Sequence, residues 1–237
     1  MHVYPEPDGQ PIPLLSRPLL ESWNAKDHPD QVHLEESLDQ LEKAAIGRWP
    51  NGSIAIDLAV GFPLEWSLTS RGHDLDNYLF PVARRFKDHD IVSAWAAKRC
   101  RGASAITIVP VGEPIGAPVG DWLHRSVLTK GSTALAPWKR EVRAQVAGEH
   151  RVTGEGGIER QVSFSVHRRR NWTNLWKPAI DSLGAILGVA DPNKPFHPRD
   201  DRIVRLGLHR FESGGELRPV ALDIWWRPSA VDERAAD

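Results

Sequence analysis

Hydrophobic and polar positions recur with two periods along the chain, and these periods predict an order of helices and strands. Residues 31–47 carry leucines at helical spacing, between Asp30, a good N-cap, and Gly47, a good helix stop. The apolar run 53–60 predicts a strand, and after a polar loop residues 73–86 predict a second helix.

The second half of the chain shows the same order. Residues 136–148 place Trp138, Val142 and Val146 on one helical face, and residues 160–168 alternate as a strand does. A helical region follows within residues 169–188. Each half then continues with an acidic loop entering a strand (87–99 and 198–210) and, beyond a turn at Gly102 or Gly214–Gly215, a last strand (104–110 and 219–226).

Matched turn residues strengthen this internal similarity. Asn77 and Pro81 correspond to Asn174 and Pro178 at a constant offset of 97 residues. In each half Asn is the expected N-cap, and Pro falls in the first helical turn, where it is tolerated. The Pro- and Gly-rich stretch 110–120 is the expected linker.

We therefore expect an α/β fold, in the form of α+β mixed sheets with packed helices, built by tandem duplication. The expected repeats are residues 1–110 and 111–237, which would form an internal pseudodimer. The alternative is an ordinary α/β chain without duplication, because any such chain alternates helices and strands.

Composition places the chain among folded proteins. Of its 237 residues 41% are hydrophobic and 26% are charged, no apolar run is long enough to span a membrane, and the N-terminus lacks the pattern of a signal peptide. The single cysteine, Cys100, excludes an intramolecular disulfide and a cysteine-based zinc site. We expect a cytoplasmic protein.

Charge is divided unevenly between the halves. The first 120 residues carry 11 Lys and Arg against 16 Asp and Glu, whereas the remainder carry 19 against 15. This split indicates either chance or a division of labour in which one half holds cations and the other an anionic polymer.

A D-x-D-N motif, Asp74 to Asn77, directly precedes the second predicted helix. Alternate residues of an extended segment point to the same side, so Asp74 and Asp76 would present two carboxylates together. Asp88 or Asp90 could supply a third, and such an oxygen-rich group suits Mg²⁺, with Mn²⁺ as an alternative. The competing interpretation is an Asx turn with an N-cap and solvated acids.

The motif R-x-x-D-x-D-N, a helix and an acidic loop entering a strand together resemble the RusA-type Holliday junction resolvases. The resemblance spans about residues 30–108 and 120–226. It implies a small α/β homodimer that cuts four-way DNA junctions with Mg²⁺ held by three carboxylates. A tandem fusion would be a one-chain version of that dimer.

The resemblance assigns family positions unequally to the two halves. The two D-x-D aspartates fall on Asp74 and Asp76 in the first half, but on Asn171 and Thr173 in the second, which would be a second-site remnant. The acidic-loop positions are Asp200 and Asp201 in the second half, which would belong to the same second-site remnant, and Asp88 and His89, followed by Asp90, in the first. The family lysine falls on Lys177, and on Phe80 in the first half.

The basic half offers a candidate DNA-binding surface. Its members are Arg168, Arg169 and Arg170 beside the motif loop and Arg199, Arg202, Arg205 and Arg210 around the second acidic loop. Trp172 is a candidate for stacking on a base, although core packing is the alternative. His73 and His89 flank the aspartates as candidate zinc ligands, general bases or bystanders.

These observations predict a Mg²⁺-dependent, structure-selective endonuclease acting on branched DNA. Asp74, Asp76 and Asp88 or Asp90 would hold the metal, and Lys177 would steady the phosphate. A catalytically degenerate protein that binds branched or duplex DNA is the first alternative, because Asn171, Thr173 and Phe80 replace family residues. An interaction domain without affinity for nucleic acid is the second.

Overall fold

The computed structural model describes residues 2–21, 27–70, 72–100, 102–131, 136–149, 152, 154–214 and 219–230. Within this part of the chain eight strands form one mixed sheet, in the order β1-β4-β2-β3-β7-β6-β8-β5. The strands are β1 (Ile12–Pro13), β2 (Ile54–Phe62), β3 (Ile91–Cys100), β4 (Ala105–Pro110), β5 (Leu123–Thr129), β6 (Ile158–Val166), β7 (Ile203–Glu212) and β8 (Val220–Pro228).

Three strands on each side of the sheet's centre are arranged alike. β2 runs parallel to β3 and antiparallel to β4, and β6 runs parallel to β7 and antiparallel to β8. A register shift follows the first paired residue of β2, Ile54, and the first of β6, Ile158. β3 and β7 join the two groups as an antiparallel pair, with Trp95 opposite Gly207.

In the described ranges five α-helices pack on one face of the sheet, and the bounds of α1, α2 and α3 differ from the predicted ones by a few residues. They are α1 (Pro29–Ala44), α2 (Leu75–Arg85), α3 (Ala136–Val146), α4 (Trp176–Asp181) and α5 (Gly184–Leu187), with 3₁₀ turns at Thr173–Leu175 and Asp200–Arg202. The predicted Asp30 cap of α1 is wrong, because His28 is the N-cap and its ring accepts the Asp30 N–H.

The predicted start of α2 is also wrong. Asp74, not Asn77, is its N-cap, so Pro81 lies inside the helix rather than in its first turn. A proline has no N–H for the carbonyl four residues earlier. That carbonyl, on Asn77, instead accepts the Glu21 N–H at 2.8 Å.

The helices and one face of the sheet share a continuous apolar core. Its members include Trp138, Val142 and Val146 from α3, as the helical pattern predicted, and Val162 and Phe164 from β6. The predicted α/β class is confirmed, with mixed strand directions and packed helices. β1 and β5 were not predicted, and the boundary at residue 110 stays a prediction.

The other face of the central strands carries a buried polar chain. Trp95 Nε1 donates to Ser93 Oγ at 3.1 Å, Ser93 Oγ lies 3.3 Å from His209 Nδ1, and His209 Nε2 lies 3.2 Å from Gln161 Oε1. These contacts fit a neutral imidazole that carries its proton on Nε2 and accepts at Nδ1. None of the helices in the described ranges is both long and apolar enough to cross a membrane.

Candidate functional site

Four aspartates surround the ammonium group of Lys177, and we call this group the acidic cluster. Lys177 Nζ lies 2.9 Å from Asp200 Oδ2, 3.4 Å from Asp181 Oδ1, 3.5 Å from Asp76 Oδ2 and 3.8 Å from Asp74 Oδ2. Asp74 and Asp76 belong to the first half of the chain, whereas Lys177, Asp181 and Asp200 belong to the second. The cluster is therefore assembled across the two halves.

Strand directions bring these residues together. Asp74 and Asp76 follow the carboxyl end of β2, which lies beside the carboxyl end of parallel β3. Because β7 is antiparallel to β3, the start of β7 lies at the same end, and Asp200 begins the 3₁₀ turn that leads directly into β7. α2 then packs against α4, which carries Lys177.

Burial makes the first-half carboxylates costly to ionise. Asp76 is 2% exposed, and both of its carboxylate oxygens are buried without a hydrogen-bond partner in the described ranges. Burial raises the pKa of Asp76 to about 7, against the opposing effect of Lys177. Burial and the Asp200 charge raise the pKa of Asp74 to about 6, while Asn77 Nδ2 donates to its Oδ2 at 3.0 Å.

Two lysines oppose this negative charge. Burial alone would lower the pKa of Lys177, but the carboxylates of Asp76 and Asp200 outweigh it and raise that pKa well above its usual value. Lys98, on β3, donates to the backbone carbonyls of Leu68 and Asp201 at 2.8 and 2.5 Å. Burial lowers the pKa of Lys98 to about 8.

The predicted third carboxylate, Asp88 or Asp90, lies elsewhere. Asp90 Oδ1 accepts from Arg210 at 2.5 Å and its Oδ2 accepts from Ser53 at 2.6 Å. Asp88 lines a separate cavity with Asp90. Both residues follow α2, whose 11 residues span about 16 Å, and Asp76 lies in its first turn. The prediction that Asp88 or Asp90 is the third carboxylate is therefore wrong, since Asp200 lies beside Asp74 and Asp76 instead.

The second-half positions Asn171 and Thr173 have no charge and bond to each other. Asn171 Oδ1 accepts from the Thr173 N–H at 3.2 Å and from Thr173 Oγ1 at 2.8 Å. Both line the cavity that holds Asp88. Asp200 and Asp201, placed with the remnant by the resemblance, instead lie at the other site. Asp200 belongs to the acidic cluster, and Asp201 lies beside Asp200 and Lys98, where burial raises the pKa of Asp201.

Several predicted DNA-binding residues are structural. Arg202 is fully buried and donates to the carbonyls of Val152, Gly156 and Leu187, so its assignment to the DNA surface is corrected. Trp172 is 4% exposed and donates to the Ile91 carbonyl at 3.1 Å, which leaves its ring no free face for a base.

Among the other candidate residues, three arginines are engaged with acids. Arg199 pairs with Glu155 at 2.6 Å, Arg205 pairs with Asp57 on the face opposite the helices, and Arg210 pairs with Asp90. Arg168, Arg169 and Arg170 line the cavity with Asp88.

The two candidate histidines make aromatic and hydroxyl contacts. His73 Nδ1 lies 2.9 Å from Tyr78 Oη, and burial lowers the His73 pKa. His89 stacks on Trp49 with ring centroids 3.9 Å apart. Neither contact makes a zinc ligand set.

The donor types of the acidic cluster suit a hard cation such as Mg²⁺, because all of them are carboxylate oxygens and those of Asp76 lack partners. In the described residues, however, no three His, Cys, Asp or Glu side chains are arranged to hold a metal ion. The Lys177 ammonium lies among the carboxylates that a cation would need. The carboxylates of Asp74, Asp76 and Asp200 are suitable ligands for the metal, and the Lys177 ammonium would have to move away from them for the metal to bind.

Sequence reasoning missed Lys98 and Asp181. Lys98 follows the apolar run of β3 and lies on the same face of the strand as Ala94 and Ala96. A charged side chain is unusual on such a buried face, and this could have singled out Lys98. Asp181 lies four residues after Lys177, a spacing that places both on one helix face, and it also accepts from Lys139 at 2.5 Å.

A comparison with protein-family models finds no match, and a comparison with curated proteins finds no significantly similar sequence.

Proposed function

We propose that the protein is a Mg²⁺-dependent, structure-selective endonuclease that acts on branched DNA such as Holliday junctions. One observation carries this proposal. Asp74 and Asp76 of the D-x-D-N motif lie in one cluster with Asp200 and Lys177, all within 3.8 Å of the lysine ammonium. Clustered carboxylates of this kind are used with Mg²⁺ to hydrolyse phosphodiesters.

The proposal includes the tandem duplication of a RusA-like unit as an internal pseudodimer. Matching strand directions and register shifts on either side of the β3–β7 pair support it. In this arrangement the cluster would combine Asp74 and Asp76 of one repeat with Asp200 and Lys177 of the other. A single chain would then supply what two subunits supply in a homodimer.

The side chains of the cluster have separate tasks in this mechanism. Asp74, Asp76 and Asp200 would hold the cation, which when bound supplies a Lewis acid for the phosphate and lowers the pKa of water. Lys177, freed from part of its ion pairing, stays within reach to hold a non-bridging phosphate oxygen. Lys98 keeps a positive charge beside Asp74 and Asp201, which limits repulsion between the carboxylates.

A non-cutting DNA-binding protein is the second candidate. The observation that favours it is the position of Lys177, whose ammonium already neutralises the carboxylates. If Lys177 never yields, the protein holds DNA without hydrolysing it.

A labelled four-way junction and a linear duplex, each incubated with and without Mg²⁺, test the proposal. We expect cutting of the junction only with Mg²⁺, and a loss of about 100-fold in rate for Asp76→Asn. The exposed Asp27→Asn variant is the matched control and should cut normally. Mn²⁺ should replace Mg²⁺. Junction binding without cutting favours the second candidate, and absence of both overturns the proposal.

A further inference from the structure

The cavity lined by Asp88 and Asp90 has a volume of about 470 Å³ and lies where the start of β3 meets the end of β7. Its cationic lining residues are Arg84, Lys87, Arg168, Arg169, Arg170 and Arg210, and we call it the basic pocket. Two aspartates, Asp88 and Asp90, also line it. The six cations therefore outnumber the acids, whereas the acidic cluster has four aspartates around one lysine.

The basic pocket and the acidic cluster occupy equivalent places in the sheet. The acidic cluster lies at the start of β7 beside Lys98, near the end of β3. The basic pocket lies at the start of β3 beside Arg210, near the end of β7. Because the two strands are antiparallel, the sites lie toward opposite ends of β3, but their cavities adjoin, since Arg84, Thr173 and Asn174 line both the basic pocket and the cavity that contains Asp76 and Lys177.

Different residues at equivalent positions of the two sites make one site acidic and the other basic. Asn171 and Thr173 stand where the other site has Asp74 and Asp76, and they satisfy each other by hydrogen bonds. His89 stands where the other site has Asp201. The exchanges remove the carboxylates that a cation requires, and the arginine run beside them supplies donors that suit a phosphate.

Polar groups of the basic pocket remain available to an anion. Arg210 lines the cavity, but it is paired with Asp90 and its Nε is buried, so the groups open to a ligand are those of Arg168 and Arg169. Arg168 and Arg169 are exposed at the mouth of the cavity. Guanidinium groups in this setting bind phosphate oxygens in preference to neutral ligands.

We propose that the basic pocket binds a phosphodiester group of one DNA strand while another strand of the same DNA molecule reaches the acidic cluster. This inference rests on the proposed function for its substrate, but binding can be measured without cutting. Because Arg84, Thr173 and Asn174 line both cavities, one DNA molecule can contact both places. The pocket would position the DNA, and the DNA strand bound in the pocket would not be cut.

Binding of a fluorescent four-way junction in EDTA tests this inference, with anisotropy measured from 50 to 300 mM salt. We expect the double variant Arg168→Gln, Arg169→Gln to bind about tenfold more weakly, with a salt slope about 2 units shallower, because two phosphate contacts are lost. The exposed pair Arg48→Gln, Arg140→Gln, outside the cavity, is the matched control and should bind like the unmodified protein.

The outcomes separate this inference from the proposed nuclease. Equal affinities and slopes for the arginine variant and the unmodified protein would overturn the pocket's role, whether or not Mg²⁺ supports cutting. A weakened arginine variant of a protein that never cuts would support the pocket and contradict the nuclease. An equal loss in the control pair would mean only general charge attraction, which also overturns the inference.

Discussion

Buried polar side chains on both faces of the central strands carry consequences that can be measured one residue at a time. Asp76 and His209 are both almost fully buried, and burial moves both of their pKa values far from the ordinary ranges. The two shifts have opposite effects on how the stability of the fold depends on pH. Burial favours the neutral form of each group. For Asp76 the neutral form is protonated, whereas for His209 it is deprotonated.

His209 should make the protein less stable in acid. Burial lowers its pKa to about 3, whereas an unfolded chain has an ordinary histidine pKa of about 6.5. Between these values the unfolded state binds a proton that the folded state does not, so stability falls as pH falls. The expected slope from this group is about 1.4 kcal/mol per pH unit.

Denaturant unfolding of the protein and of His209→Asn, at pH values from 7 to 4, measures this effect. The variant should lose that slope, so its free energy of unfolding should depend less on pH. His33→Asn, at an exposed position on α1, is the control and should keep it. Parallel curves for the protein and His209→Asn would show that the buried imidazole is not neutral as described.

At the scale of elements, the hydrophobic pattern predicts those helices and strands whose buried residues recur at regular intervals. α3 and β6 were predicted within two residues, because Trp138, Val142 and Val162 recur with the periods of a helix and a strand. β1 is only two residues long, and β5, at the edge of the sheet, buries only Val127 and Thr129, so neither strand has a clear hydrophobic pattern. Pro81 was misplaced because its helix begins at Leu75, and only the tertiary bond from Glu21 to Asn77 compensates for a proline there.

The β3–β7 pair depends on a glycine opposite a tryptophan. A Cβ at Gly207 would lie 2.9 to 3.1 Å from ring atoms of Trp95. We expect Gly207→Ala to lower the free energy of unfolding by about 1–3 kcal/mol, because the ring must move within a packed site. Thermal or denaturant unfolding measures it.

A double-mutant cycle distinguishes this contact from a backbone effect. Gly207→Ala should cost less in a Trp95→Phe background, where the smaller ring leaves space. Gly214→Ala, where an added Cβ meets nothing within 4 Å, is the matched control and should change stability little. Equal costs of Gly207→Ala in both backgrounds would contradict the Trp95 contact as the cause.

At the scale of the whole molecule, the position of the acidic cluster follows from strand directions that sequence does not reveal. The D-x-D-N motif, Lys177 and the second acidic loop were all identified from the chain, but the third carboxylate was sought in the nearer loop, at Asp88 or Asp90. Parallel pairing of β2 and β3 puts that loop at the opposite end of β3 from the motif. Antiparallel pairing of β3 with β7 brings Asp200 there instead, 124 residues after Asp76 in sequence.

The same long-range pairing explains the fate of the predicted DNA-binding residues. Arg202 was expected on the DNA-binding surface, yet it fills an interior position between elements from different parts of the chain. Trp172 is likewise interior, which is the core-packing alternative to base stacking. Arg168 and Arg169 remain exposed beside the basic pocket, as the charged run predicted.

The central claim is a single metal site assembled from both halves of the chain. Initial rates of junction cutting in Mg²⁺ for Asp200→Asn and Asp88→Asn test it most directly, with circular dichroism confirming that both variants fold. We predict a loss of about 100-fold for Asp200→Asn and a rate within about threefold of the unmodified protein for Asp88→Asn. Full activity of Asp200→Asn together with loss of cutting in Asp88→Asn would contradict the account.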